Sequence, residues 1–107
     1  MKLLPSLKEK KRYITFEVLA DEKISQNEAY NAVELNSKRY LGSLGMAKAG
    51  FLPMNIWKNN RGIIKVSNKE IDNMKASLPL IKNINNKNVI VRSLTVSGLL
   101  NKAKSYI

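Results

Sequence analysis

Arg12-Tyr13-Ile14-Thr15-Phe16-Glu17-Val18-Leu19-Ala20 decides the fold. Ile14, Phe16 and Val18 alternate with Tyr13, Thr15 and Glu17, the period of two that buries one face of a strand. After the polar break Asp21-Glu22-Lys23, Ser25-Gln26-Asn27-Glu28 has the capping-box spacing that opens a helix. Ala29, Ala32, Val33, Tyr40, Leu41 and Leu44 follow at helical intervals, and Gly42 and Gly45 are expected to stop the helix. A second strand is expected from Ala49 to Trp57. Pro53 donates no ladder hydrogen bond, which marks that strand as an edge or as bulged. Lys58-Asn59-Asn60-Arg61-Gly62 reads as a turn, and Ile63 to Val66 as a third strand closing a hairpin.

Ser67-Asn68-Lys69-Glu70 repeats the capping-box spacing. Ile71, Met74, Leu78 and Ile81 then form the apolar stripe of a second helix, limited by Pro79. Asn83 to Lys87 is expected to turn, and Asn88 to Val96 is the most strand-like segment. Ser97-Gly98 opens a terminal helix carrying Leu99, Leu100, Ala103 and Tyr106. The order β-α-β-β-α-β is the split βαβ pattern. It predicts an α+β, ferredoxin-like or RRM-like sandwich with two helices on one face of a four-stranded antiparallel sheet, plus a C-terminal helix. The expected organisation is one domain: a basic arm over 1–11, the sandwich over 12–96 and the helix over 97–107.

The chain has 107 residues, 19 Lys+Arg against 8 Asp+Glu, and a net charge of +11, with no Cys and no His. Disulfides, thiolate nucleophiles, Ser-His devices and the usual zinc sets are thereby excluded. The longest charge-free stretches, 49–57 and 93–101, have nine residues, against the roughly 20 that a membrane-spanning helix needs. A soluble, cytoplasmic protein is expected. Such a charge calls for a polyanion or an acidic partner, and nucleic acid is the first candidate.

Three site chemistries fail on their residues. The loop Ala20-Asp21-Glu22-Lys23 is acidic and has neither the Gly nor the Arg of an acylphosphatase phosphate loop. A metal-dependent nuclease needs clustered carboxylates, but Glu28 and Glu70 are accounted for by capping, and Asp21-Glu22 fits a solvated turn ahead of a helix. RRM-type stacking needs aromatics on the third strand, where Arg61-Gly62-Ile63-Ile64-Lys65-Val66 offers Ile and Val. Tyr13 and Phe16 have opposite parity and form no single platform. What remains is charge in patches: Lys8, Lys10, Lys11 and Arg12 at the start, Lys38 and Arg39 late in the first helix, Lys58 and Arg61 on the hairpin, Lys102 and Lys104 on the last helix. These are the candidate RNA-binding residues.

Three blocks carry a family resemblance. Met1-Lys2-Leu3-Leu4-Pro5-Ser6-Leu7-Lys8-Glu9-Lys10-Lys11-Arg12-Tyr13-Ile14, Tyr40-Leu41-Gly42-Ser43-Leu44-Gly45-Met46-Ala47-Lys48-Ala49-Gly50 and Val91-Arg92-Ser93-Leu94-Thr95-Val96-Ser97-Gly98 resemble the archaeal ribonuclease P protein component 2 family. The resemblance spans the chain, with Pro53, Asn55 and Pro79 as mild departures. It implies a protein subunit of the ribonucleoprotein that removes the 5′ leader of precursor tRNA. In that family the RNA subunit holds the catalytic magnesium ions, so no cofactor is expected on this chain and no residue of it is catalytic. The implied partners are ribonuclease P RNA and protein component 3, with precursor tRNA as substrate of the complex. The resemblance further implies that the pairs join as a dimer of heterodimers. Phe51, Leu52, Trp57, Leu99 and Leu100 are the candidate protein interface. Two alternatives stay open: a non-catalytic RNA-binding or ribosome-associated protein of the same fold, and a module that binds an acidic protein.

Overall fold

A computed structural model describes residues 10–107, so Lys8 and the rest of 1–9 lie outside the described residues. The elements are β1 (Lys11–Ala20), α1 (Gln26–Ala49), β2 (Leu52–Lys58), β3 (Arg61–Ser67), α2 (Ile71–Ser77), β4 (Asn83–Ile84), β5 (Lys87–Ser97) and α3 (Leu100–Lys104). The sheet order is β2-β3-β1-β5-β4, and all four neighbouring pairs are antiparallel. The expected element order holds, and the sheet has five strands instead of four. Asn83–Ile84, expected as turn, pairs with Lys87 and Asn88. The turn itself is Asn85-Asn86, with φ of 50° and 67°, a region Asn tolerates better than most residues. β1 begins at Lys11, which therefore belongs to the sheet and not to an arm.

Ile14, Phe16 and Val18 join one core with Ala29, Val33, Met74 and Leu78, so α1 and α2 cover the same face of the sheet. Full burial of such side chains is worth about 1.5–3 kcal/mol each. α1 does not stop at Gly42 or Gly45. Gly42 leaves helical geometry at φ 75°, ψ 173°, and the helix resumes to Ala49 before Gly50 caps it. Ala49 is fully buried in the core, which draws this second segment onto the sheet and delays β2 to Leu52. α2 is shorter than its stripe. Leu78–Leu80 tightens into a 3₁₀ turn around Pro79, although Leu78 and Ile81 still reach the core. Ser67 opens a 3₁₀ turn over Asn68–Glu70 ahead of α2, its hydroxyl accepting from the Lys69 amide at 3.3 Å.

β2 is both an edge strand and bulged. Pro53 pairs with Ile64 and Trp57 with Gly62, so Met54, Asn55 and Ile56 face Ile63 alone. Tyr30 of α1 closes the gap. Its hydroxyl donates to the Ile56 carbonyl at 2.6 Å and accepts from the Ile63 amide at 2.9 Å. Phe16 and Trp57 lie beside its ring, with centroids 5.7 and 6.3 Å away. Gly62 lets these rings approach, since a Cβ there would stand 2.8 Å from the Tyr30 hydroxyl and 2.9 Å from Phe16 Cζ.

α3 has five residues, and the expected helix over 97–107 is shortened because β5 runs on to Ser97. It sits on the sheet face opposite α1 and α2. The buried Thr15 hydroxyl donates to the Ala103 carbonyl at 3.0 Å, and Ala103 is fully buried. No described helix is long and apolar enough to cross a membrane.

Two outcomes test this packing. Gly62→Ala is expected to cost about 1–3 kcal/mol in urea unfolding, the range for overpacking a tight core. Tyr30→Phe is expected to cost about 1–3 kcal/mol, because it strands a buried amide and a carbonyl. A third concerns acid. The capping box is complete, and Glu28 also reaches Asn85 and lies 3.6 Å from Lys87. The Ser25 amide first, then Asn85, hold the Glu28 carboxyl at about 2 against an ordinary 4.5. A lowered folded pKa gives stability that is complete above the ordinary value and lost as pH falls through the folded one. Thermal melts between pH 5 and pH 2 are expected to lose this contribution in the native chain and to show a shallower decline in Glu28→Gln.

Candidate nucleic-acid interface

Tyr13, Thr15, Glu17 and Leu19 of β1 point to the face that α1 and α2 leave open. Strand pairing sets the rows of this face. Tyr13 lies opposite Lys65 and Ser97, with Leu52 beyond Lys65. Thr15 lies opposite Ile63 and Thr95, under α3. Glu17 lies opposite Arg61 and Arg92, with Lys58 beyond Arg61. Leu19 lies opposite Ile90.

The third row is the most charged. Glu17 is 7% exposed, and a carboxylate so buried needs partners. Arg61 donates from Nε and Nη2 to one carboxylate oxygen, both at 2.9 Å. Arg92 donates from Nε at 3.0 Å and Nη2 at 2.9 Å to the other. Burial pushes the Glu17 carboxyl up, but the hydrogen bonds and charges of Arg92 and Arg61 outweigh it and leave the pKa lowered. Arg61 also donates from Nη1 to the Tyr106 carbonyl at 2.8 Å, tying the end of the chain to the sheet. In the neighbouring row the Lys65 ammonium stands 5.7 Å from the Tyr13 ring centre.

The candidate RNA-binding residues divide by position. Lys58, Arg61, Lys102 and Lys104 belong to the open face, its hairpin end and α3. Lys38 and Arg39 are exposed on α1, across the sheet, and Lys38 pairs with Glu34 at 3.4 Å. Lys10 is exposed beside the first strand, while Lys11 and Arg12 lie half-buried within it. Arg92 and Lys65 also belong to the open face, and sequence reasoning missed both. The parity that buries Val89 and Val91 places Arg92 on the other side, so the signal was present.

The apolar candidates divide too. Phe51 and Trp57 pack against the core, and the Trp57 indole N–H donates to the Ile24 carbonyl at 2.9 Å. Leu100 is half-buried, while Leu52 and Leu99 are 51% and 69% exposed. Among the described residues no group of three His, Cys, Asp or Glu could hold a metal ion. The open face carries the cations Lys58, Arg61, Lys65 and Arg92, groups whose chemistry suits phosphate.

Comparison with known proteins gives the family. The family model described as the Rpp14/Pop5 family matches residues 12–107. Ribonuclease P protein component 2 of Methanocaldococcus jannaschii is 39% identical over 103 residues, covering 95% of this chain and 75% of that protein. Its namesake in Pyrococcus abyssi is 33% identical over 104 residues, covering 95% of this chain and 87% of that protein. A chain in the cryo-EM structure of yeast ribonuclease MRP shares the fold, with a TM-score of 0.67 at 12% identity over 99% of this chain and 88% of that one. With the family model spanning all but the first eleven residues, and with relatives this similar, the chain belongs to the Rpp14/Pop5 family of ribonuclease P proteins.

Proposed function

We propose that this chain is a protein subunit of ribonuclease P and supports removal of the 5′ leader from precursor tRNA. The match of the family over residues 12–107 carries the reading. The charge of +11 and the cation-bearing open face support it. In this reading the RNA subunit holds the magnesium ions and performs the displacement. The chain contributes Lys and Arg side chains that neutralise crowded phosphates, a term that salt screens. It works paired with protein component 3, and the pairs join as a dimer of heterodimers. Leu52 and Leu99 supply exposed apolar surface for these protein partners.

Adding this chain together with component 3 to folded ribonuclease P RNA is expected to raise precursor-tRNA cleavage at low magnesium, and either protein alone to do much less. Full stimulation by this chain alone, or none by the pair, defeats the assignment. Purified chain with magnesium and no RNA subunit is expected to show no turnover. Reversing Lys10, Lys11 and Arg12 to Glu is expected to weaken RNA binding. The slope of log affinity against log salt should fall by about 0.7–0.9 for each phosphate that the variant no longer neutralises. Circular dichroism checks that the triple variant stays folded.

A further inference from the structure

We infer that Arg92 is a dedicated phosphate-binding residue of the open face and that Glu17 is the positioning residue that aims it. This rests on the reading of the chain as an RNA-bound subunit. Lys58, Arg61, Glu17 and Arg92 stand in one row across β2, β3, β1 and β5, and neighbouring strands lie about 4.7–4.9 Å apart. The three cations of this row are not equivalent. Lys58 lines a cleft with Asp21, Glu22 and Lys23, where the two carboxylates offset the two ammonium groups. Arg61 has all of its guanidinium nitrogens engaged, by Glu17 and by the Tyr106 carbonyl. Arg92 gives Glu17 only its Nε and Nη2. Among the described residues its Nη1 has no partner, and its side chain is 58% exposed.

The geometry of a guanidinium makes that difference matter. Binding through the Nε–Nη2 edge leaves the Nη1–Nη2 edge open, and this edge matches two oxygens of a phosphate. A free arginine must give up rotamer freedom to present that edge. Here the carboxylate has already fixed it, on β5 where that strand pairs with β1. Glu17 is itself fixed, being buried and held on both oxygens. The row keeps a net positive charge despite its carboxylate, and Lys65 adds another cation on the same face. A phosphate of the RNA backbone is the ligand this arrangement takes. An acidic side chain of a protein partner is the competing occupant, which the experiment separates.

The sign of the Glu17→Gln effect is decisive. Removing a negative charge near RNA tightens binding if only net charge matters. It weakens binding if Glu17 aims Arg92. The measurement is titration of the full chain with ribonuclease P RNA across a salt series, with wild type, Arg92→Ala, Arg92→Lys and Glu17→Gln. Arg92→Ala is expected to lower affinity several-fold and the salt slope by about 0.7–0.9. Arg92→Lys is expected to keep the slope, because the charge stays, and to bind more weakly, because the paired donor edge is gone. Glu17→Gln is expected to bind more weakly at unchanged circular dichroism. If it does not fold, the two Arg92 variants decide, with circular dichroism checking that Arg61 alone satisfies Glu17 in Arg92→Ala.

Unchanged affinity and slope in Arg92→Ala overturn the proposal, as does tighter binding by folded Glu17→Gln. Failure of Arg92→Ala to capture component 3, with RNA affinity intact, overturns it in favour of a protein partner. If wild type does not bind the RNA at all, the ribonuclease P reading itself fails. If wild type binds and the reversal of Lys10, Lys11 and Arg12 weakens it while Arg92→Ala does not, only the present inference fails.

Discussion

The burial of β1 on both of its faces is the constraint on which the rest depends. Five consecutive residues, Ile14 to Val18, are out of solvent. Alternation supplies apolar side chains for one face only, so Thr15 and Glu17 are carried inward on the other. Each must find a partner or destabilise the sheet. Thr15 finds the Ala103 carbonyl, and Glu17 finds two arginines. The position of α3 and the orientation of the charged row both follow from satisfying this one strand.

The same logic governs the β2 edge of the sheet. A bulged edge strand leaves ladder groups without strand partners, and Tyr30 supplies them from the helix layer. A side chain of α1 thereby sets the course of β2, while Gly62, having no side chain, makes room. The aromatic trio at this point is structural. These three rings are therefore spent on packing, and among the described residues they do not add to Tyr13 on the open face.

Much of this is legible in the sequence, and the residues show why. The alternation around Phe16 and the capping box at Ser25 are local signals that local physics honours, so β1 and the start of α1 fall where expected. Pro53 announces an edge strand or a bulge, and the strand turns out to be both. Tertiary context decides the rest. Gly42 does break helical geometry, but the burial of Ala49 restarts the helix beyond it. Asn83 to Lys87 reads as turn by composition, although a two-residue strand needs only a partner across an Asn-Asn turn. The charged row is half legible. The patches around Lys58 and Arg61 stand out as runs, whereas Arg92 is a lone cation among apolar residues and acquires meaning only opposite Glu17.

α3 is too short to hold helical geometry by itself, since isolated helices need about 12–15 residues to become even marginal in water. Its place on the sheet rests on Ala103, on the Thr15 hydroxyl and on the hydrogen bond from Arg61 to the Tyr106 carbonyl. Releasing these few anchors does not disturb the layer that holds Phe16 and Val33. The segment is therefore expected to open as a local unit, at a free energy below that of global unfolding. Its amide hydrogens are expected to exchange with solvent deuterium ahead of those of β1. Each such opening would uncover Thr15 and free one donor of Arg61, giving the chain a wider cationic surface than its resting form.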